Sequence, residues 1–196
     1  MVGSLGLNDV AAILVTAVAG LRPAEIETGV EIIAESERLM RFDVMGAKVT
    51  ATSGHRVRSL WFEPNEEPVA KQLWSMVVEA GGRLRVQLKV RTLHKAIVRA
   101  TKRLGLKGIS SYTFRHLLAS NLKASDEVDD VAIAEALGHR STRTQRSYGT
   151  SGQGKAGGSS FVKANASEIV RQPKRSRHPN HNATPAIVKI ESPGPG

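Results

Sequence analysis

The chain contains no cysteine. That excludes a disulfide framework, thiol catalysis and cysteine-ligated zinc. Aromatic residues make up only 4% of it, so the core has to be aliphatic and is expected to be largely helical. Long apolar runs are missing too. The longest, residues 10–21, is too short to span a bilayer. It is preceded by Asp9 and by no Lys or Arg, which excludes a secretory signal. A soluble, cytoplasmic protein without membrane contact is expected. Paired Asp/Glu motifs for a two-metal centre, a phosphate-cradling GxxxxGK[ST] loop and a GxSxG nucleophile turn are all absent, so no metal and no cofactor is expected.

What is present begins with charge. Lys and Arg number 28 against 18 Asp and Glu, a net charge of +10, which favours a polyanionic partner such as nucleic acid. With 40% hydrophobic residues among 196, the chain can bury a core and has room for one domain plus a tail. The composition changes after Tyr148. Residues 149–160 (GTSGQGKAGGSS) read as a flexible linker, residues 161–172 as a short helix carrying Phe161, Val162, Ile169 and Val170, and the Pro- and Lys/Arg-rich remainder as a disordered basic tail. One domain over residues 1–150 is expected, with residues 151–196 outside it.

Within that domain, Asn8 or Asp9 can cap a helix over residues 10–19 that stops at Gly20. Pro23, Glu25 and Glu27 mark the first turn of another. MRFDVMGAKV and RVRSLWF flank ThrAlaThrSerGly, a strand–turn–strand signal. Apolar spacing predicts helices over residues 66–80, from Thr92 to about Leu104, over 115–123 and over 128–137, the last closed by Gly138. A short turn or helix follows over residues 141–148. The fold class is mainly α with a small β-hairpin or sheet (α+β).

Four features carry chemistry. Arg22 stands at a helix start, where a cation opposes the helix dipole unless an anion neutralises it. Residues 83–107 hold nine Lys or Arg and no acid. Within them Lys95, Arg99, Lys102 and Arg103 lie mostly off the apolar face, as a phosphate-tracking surface would require. Arg115 and His116 follow Ser110 and Ser111 at another helix start, a suitable geometry for gripping phosphate oxygens, with His116 read as structural. Finally, Leu137-Gly138-His139 is followed nine residues after the histidine by Tyr148. Two arginines, a basic helix, a histidine and a late tyrosine suggest a phosphodiester site built without metal.

Together these pieces resemble the catalytic domain of the tyrosine recombinase (phage integrase) family. The matching blocks are AGLRPAE around Arg22, the hairpin with Lys48, YTFRHLLAS around Arg115, and ALGHRSTRTQRSYG with His139 and Tyr148. They occur in the family's order across roughly residues 5–150. The resemblance implies that Tyr148 attacks the scissile phosphate of double-stranded DNA, forming a 3′-phosphotyrosyl bond without ATP or metal. It implies that Arg22 and Arg115 clamp the non-bridging oxygens, that His139 donates a further hydrogen bond, and that Lys48 protonates the leaving 5′-oxygen. It also implies self-association on DNA as a synaptic tetramer, and a bacterial mobile element as the setting.

Two departures stand out. Tyr112 occupies the place, three residues before Arg115, where the family usually has His or Lys. A phenol can donate a hydrogen bond there but is a poor base, and hairpin-telomere resolvases also use Tyr. Only 21 residues precede Arg22, whereas family members carry an N-terminal helical clamp domain, so the clamp is expected to be absent, either from a recombinase that is a catalytic domain alone or from the truncated end of a longer one. The rival reading is a catalytically inactive DNA-binding remnant or regulator of the same fold. Such a binder needs none of Arg22, Arg115, His139 and Tyr148 at these spacings, so their joint presence favours the enzyme.

Overall fold

A computed structural model of the chain describes residues 5–64 and 67–172, apart from the side chains of 145 and 146. The expected disordered tail from residue 173 onward lies outside the described residues. Helix α1 (Leu7–Ala19) buries Ala11, Ala12, Leu14, Val15, Val18 and Ala19. It ends at Gly20, whose φ of 56° only glycine adopts cheaply, and a Cβ there would also press within 3.2 Å of the Arg115 backbone. Its N-cap is Gly6, not Asn8 or Asp9. Those two side chains point outward instead: Asn8 donates to the Gln87 carbonyl at 3.0 Å, and Asp9 pairs with Arg99.

Helix α2 (Pro23–Thr28) starts with proline at a position whose N–H needs no partner. Three antiparallel strands follow: β1 (Val30–Ser36), β2 (Leu39–Met45) and β3 (Val57–Phe62). Helix α3 (Pro68–Glu79) is capped by the Glu67 carboxylate, which accepts from the N–H groups of Val69 and Ala70. Strand β4 (Arg83–Val86) returns to pair with β1. Helix α4 (Val90–Arg103) begins two residues before the expected cap Thr92, with Lys89 at its N-cap. Helices α5 (Ser111–Ala124) and α6 (Asp130–Ala136) are capped by Ser110 and Asp129, and a 3-10 turn (Thr144–Ser147) leads to Tyr148.

The hairpin expected from sequence is the centre of a five-stranded antiparallel sheet ordered β4-β1-β2-β3-β5, where β5 is Phe161–Ala166. The short helix expected over residues 161–172 is not formed: Phe161–Ala166 is strand β5, paired with β3 through Leu60–Ala164 and Arg58–Ala166. The physical reason is the open edge of β3, whose backbone groups need partners that β5 supplies. Phe161 packs edge-on against Phe62 at 5.7 Å, tying the strand to the core. The expected linker also has fixed contacts, since Asn121 bonds to the backbone of Lys155 and Gly158.

Alternation along the central strands turns Met40, Phe42 and Val44 of β2 and Leu60 and Phe62 of β3 toward the helices. Val15, Leu73, Val77, Leu93, Ile97 and Leu118 meet them. At the inward register of β3, Arg58 occupies an otherwise apolar position and is fully buried. That exception marks the site.

Candidate active site

Four segments converge on one place: the turn between α1 and α2, the start of β3, the first half of α5, and the turn after α6. Their meeting is a matter of chain punctuation. Gly20 ends α1 so closely against α5 that the Gly20 carbonyl accepts from Arg115 Nη1 at 2.9 Å. At the other end, α6 closes with the His139 N–H bonded to the Ala134 carbonyl and the Gly138 N–H to that of Glu135, a Schellman cap. Gly138 has φ 65°, and a Cβ on it would stand 2.8 Å from Arg58 Nη1 and 3.3 Å from Arg22 Nη1. Only glycine lets the two guanidinium groups approach this turn.

Glu25 holds the arginines together. Its carboxylate is fully buried and accepts from Arg58 Nη1 and Nη2, both at 2.9 Å, a bidentate pair. It also accepts from Arg22 Nη1 at 3.0 Å and from the Arg22 N–H at 2.8 Å. Burial alone would push the Glu25 carboxyl up. The charge and hydrogen bonds of Arg58, then the charges of Arg22 and Arg115, overcome this and hold it at about 2. Arg115 is 1% exposed and donates to the carbonyls of Gly20 and Leu137. Burial first, and the Arg22 charge next, lower its guanidinium to about 10, so it remains a cation at neutral pH. Arg22 and Arg58 thus share one carboxylate, and Arg115 feels its charge.

His139 is buried beside them, with its Nε2 3.3 Å from Arg115 Nη2. Burial, reinforced by Arg115, Arg22 and Arg58, lowers it to about 3, so the imidazole is neutral at pH 7. Because the guanidinium can only donate, Nε2 accepts and the proton sits on Nδ1, a buried atom with no hydrogen-bond partner. The site therefore carries a net charge of about +2, an unused imidazole donor and further unpaired N–H groups on Arg58 and Arg115 (their Nε). Such a charge excess in a buried place is costly unless an anion joins it.

Tyr148 lies against this cluster. Its ring centroid is 5.0 Å from the Arg115 guanidinium carbon and 5.2 Å from each of the rings of His139 and His116. Its backbone is tied to α5: Lys123 Nζ donates to the carbonyls of Tyr148 and Gly149 at 2.5 and 2.8 Å, and the Gly149 N–H donates to His116 Nδ1 at 3.2 Å.

Of the residues expected from sequence, Arg22, Arg115, His139 and Tyr148 are brought together. Tyr112 sits in the first turn of α5, one helical turn before Arg115, and is 44% exposed. Lys48 is exposed in the loop joining β2 to β3 rather than on a strand, because β2 ends at Met45. On α4, Lys95, Lys102 and Arg103 are exposed. Arg99 is half-buried and engaged with Asp9 on α1 at 3.0 Å, so one of the four expected phosphate ligands already has a carboxylate partner.

Glu25, Arg58, His116 and Lys123 complete the site, and none of them was assigned a role in it from sequence. An inward arginine on an otherwise apolar strand face was the available signal for Arg58. The acid three residues after Arg22 was the signal for Glu25, there read only as helix-start chemistry. Lys123 carried no signal, since its contacts span 25 residues.

No curated protein and no solved structure matches the chain. The model of the phage integrase family matches residues 70–153. This stretch contains Arg115, His139 and Tyr148; Arg22, Glu25 and Arg58 lie before it, and the fold delivers them to the same place. Over residues 70–153, less than half of its length, the chain is thus similar to the phage integrase family, the tyrosine recombinases.

Proposed function

We propose that this chain breaks and rejoins DNA strands through a covalent phosphotyrosyl intermediate. The observation that carries this reading is the unneutralised pair of positive charges beside Tyr148: Arg22, Arg58 and Arg115 against Glu25 alone, with a neutral His139. A phosphodiester approaching the transition state is the anion that such a cluster suits, because its charge grows as the pentacoordinate phosphorus forms.

The Tyr148 oxygen attacks the scissile phosphorus, giving its proton to solvent as the new P–O bond forms and the bond to the 5′-oxygen breaks. Arg22 and Arg115 stabilise the non-bridging oxygens, and the partnerless Nδ1–H of His139 adds a hydrogen bond. Lys48 gives a proton to the departing 5′-oxygen, and Tyr112 donates a hydrogen bond to the phosphate one turn from Arg115. The energy of the broken bond is kept in the phosphotyrosine, so rejoining needs no nucleotide. Exposed Lys95, Lys102 and Arg103 on α4, with Arg99 as a weaker contributor, track the phosphates of the flanking duplex. Self-association on DNA would bring two such cleavages together for strand exchange.

The test is incubation with a duplex carrying a nick near the cleavage position, so that the short 5′-hydroxyl fragment diffuses away and traps the intermediate. A protein–DNA band stable in SDS supports strand cleavage by this chain. Duplex binding without any such band would reduce it to a DNA-binding protein.

A further inference from the structure

We propose that residues 167–171, beyond the end of the family match, form a clasp that positions two parts of the active site, the loop bearing Lys48 and the turn bearing His139. The proposal rests on the strand-transfer reading above and adds residues to it: Glu168 and Arg171 as the clasp, His55 as its buried link.

The clasp begins where β5 ends. The Ser167 N–H donates to the Val57 carbonyl at 2.9 Å, while its hydroxyl accepts from the Val57 N–H at 3.1 Å and donates to Glu168 Oε2 at 2.6 Å. The Glu168 carboxylate accepts the Arg56 N–H at 3.0 Å and faces His55 Nδ1 at 3.3 Å, an ion-pair distance. Ser167 first, then Arg56 and His55, hold this carboxyl below the usual carboxylate range against a smaller opposing effect of burial. His55 is itself buried, and its other nitrogen, Nε2, lies 2.9 Å from the backbone carbonyl of His139. A carbonyl can only accept, so His55 is the donor. His55 Nδ1 makes no hydrogen bond, so this imidazole is bonded to the His139 backbone and meets Glu168 through the 3.3 Å contact alone, lying between the C-terminal segment and the residue whose side chain faces Arg115 and Tyr148.

Arg171 makes the second half. Its guanidinium donates to the Thr52 carbonyl at 2.6 Å, and its N–H donates to the Arg140 carbonyl at 2.9 Å. In return, its own carbonyl accepts from the Thr142 N–H at 3.2 Å. Arg140 then reaches across to the Ala51 carbonyl at 2.9 Å. Within the loop over residues 46–56, hydrogen bonds among Thr50, Thr52 and Ser53 close the turn and the Gly46 N–H bonds to the Arg56 carbonyl at its base; these set the turn's shape and leave its place to contacts from outside. Fixing Ala51, Thr52, His55 and Arg56 from outside therefore limits where Lys48 can stand. A general acid must meet the leaving oxygen within hydrogen-bond reach, and small misplacements cost large factors in rate.

Both clasp residues can be changed without opening the core. Arg171 is exposed, and the Glu168 side chain is partly so. The full chain carrying Glu168→Gln or Arg171→Ala is examined by backbone hydrogen exchange and by cleavage of two nicked duplexes, one ordinary and one with a bridging 5′-sulfur at the scissile phosphate. A thiolate leaves without a proton, so the sulfur substrate does not need the general acid. We expect exchange over residues 46–56 and 139–142 to quicken by about tenfold while β1 and β2 stay protected. Cleavage of the ordinary duplex at saturating concentration slows by about tenfold; the sulfur duplex, which still needs the His139 turn but not the general acid, slows by clearly less. Unchanged exchange in both segments overturns the clasp whatever the activity. Equal slowing on both duplexes overturns its role in placing Lys48. If the wild type cleaves neither duplex, the strand-transfer reading fails, and the exchange measurement still decides whether the clasp holds the two segments.

Discussion

Replacing Glu25 by Gln removes the carboxylate that sits among the guanidinium groups of Arg22, Arg58 and Arg115, the last two of them buried. In the folded chain the Glu25 carboxyl is held at about 2 against an ordinary value of 4.5. That difference is worth about 3 kcal/mol of folding free energy at neutral pH. Its sign is fixed by proton binding: as pH falls from about 4.5, the unfolded chain takes up the proton first, so stability is present above that range and is lost progressively down to about 2. In Glu25→Gln there is no proton to bind, and this part of the pH dependence disappears. At pH 7 the variant loses about 3–5 kcal/mol, because Arg58 is left buried without its partner. Urea unfolding followed by the fluorescence of Trp61 and Trp74 reads both effects. With a slope of about 2 kcal/mol per molar urea, the midpoint falls by about 2 M. His139 adds a separate window. Held at about 3 in the fold against 6.5, it is neutral when the unfolded chain is protonated, so it too lowers stability as pH falls, beginning near 6.5. Glu25→Gln retains that upper window, and His139→Asn removes it. A Gln variant within about 1 kcal/mol of wild type, with the same acid limb, would refute the claim that Glu25 organises the cluster.

Three further outcomes follow from the site. Arg22→Ala or Arg115→Ala slows cleavage by about 10²–10³-fold, the usual effect of deleting one transition-state donor, and single-turnover assays at saturating DNA measure it. Duplex binding weakens with salt at a log–log slope of about −4 to −5 if about five phosphates are neutralised. In the same titration Lys95→Ala lowers the slope by about one, whereas Arg99→Ala changes it less, because Asp9 already partners Arg99. Tyr112→Phe slows cleavage by about tenfold with binding nearly unchanged, as loss of one hydrogen bond to phosphate requires; wild-type rates in that variant would remove Tyr112 from the chemistry.

Much of this was legible in the sequence where the physics is local. Gly20, Pro23 and Gly138 punctuate helices through their own backbone preferences, so the turns that carry Arg22 and His139 could be read directly. The apolar spacing of α3 and α4 could be read for the same reason. The sheet was harder, because strand pairing is decided by distant partners. RLRV in β4 alternates polar and apolar residues but is short, and FVKANA in β5 has no strong periodicity; each becomes a strand by covering an open edge of a neighbour. The helix expected over residues 161–172 failed on that account. Lys48 was read as part of a strand because MRFDVMGAKV continues its alternation, yet pairing stops at Met45 opposite Val57. Arg58 shows the same limit from the other side. On its strand it looked like one more basic residue, and its burial follows only from Glu25 lying 33 residues earlier on a different element.

The central claim is that Tyr148 is the nucleophile. Its most direct test is to isolate the SDS-stable complex formed with a nicked duplex, digest it, and locate the nucleotide adduct by peptide mass spectrometry, with Tyr148→Phe run in parallel. A single adduct is expected on the peptide containing Tyr148 and none in the Phe variant, whose affinity for the duplex stays within about threefold because the phenolic oxygen contributes to bond-making rather than to binding. An adduct mapped to another residue, or one that persists in Tyr148→Phe, would contradict that claim.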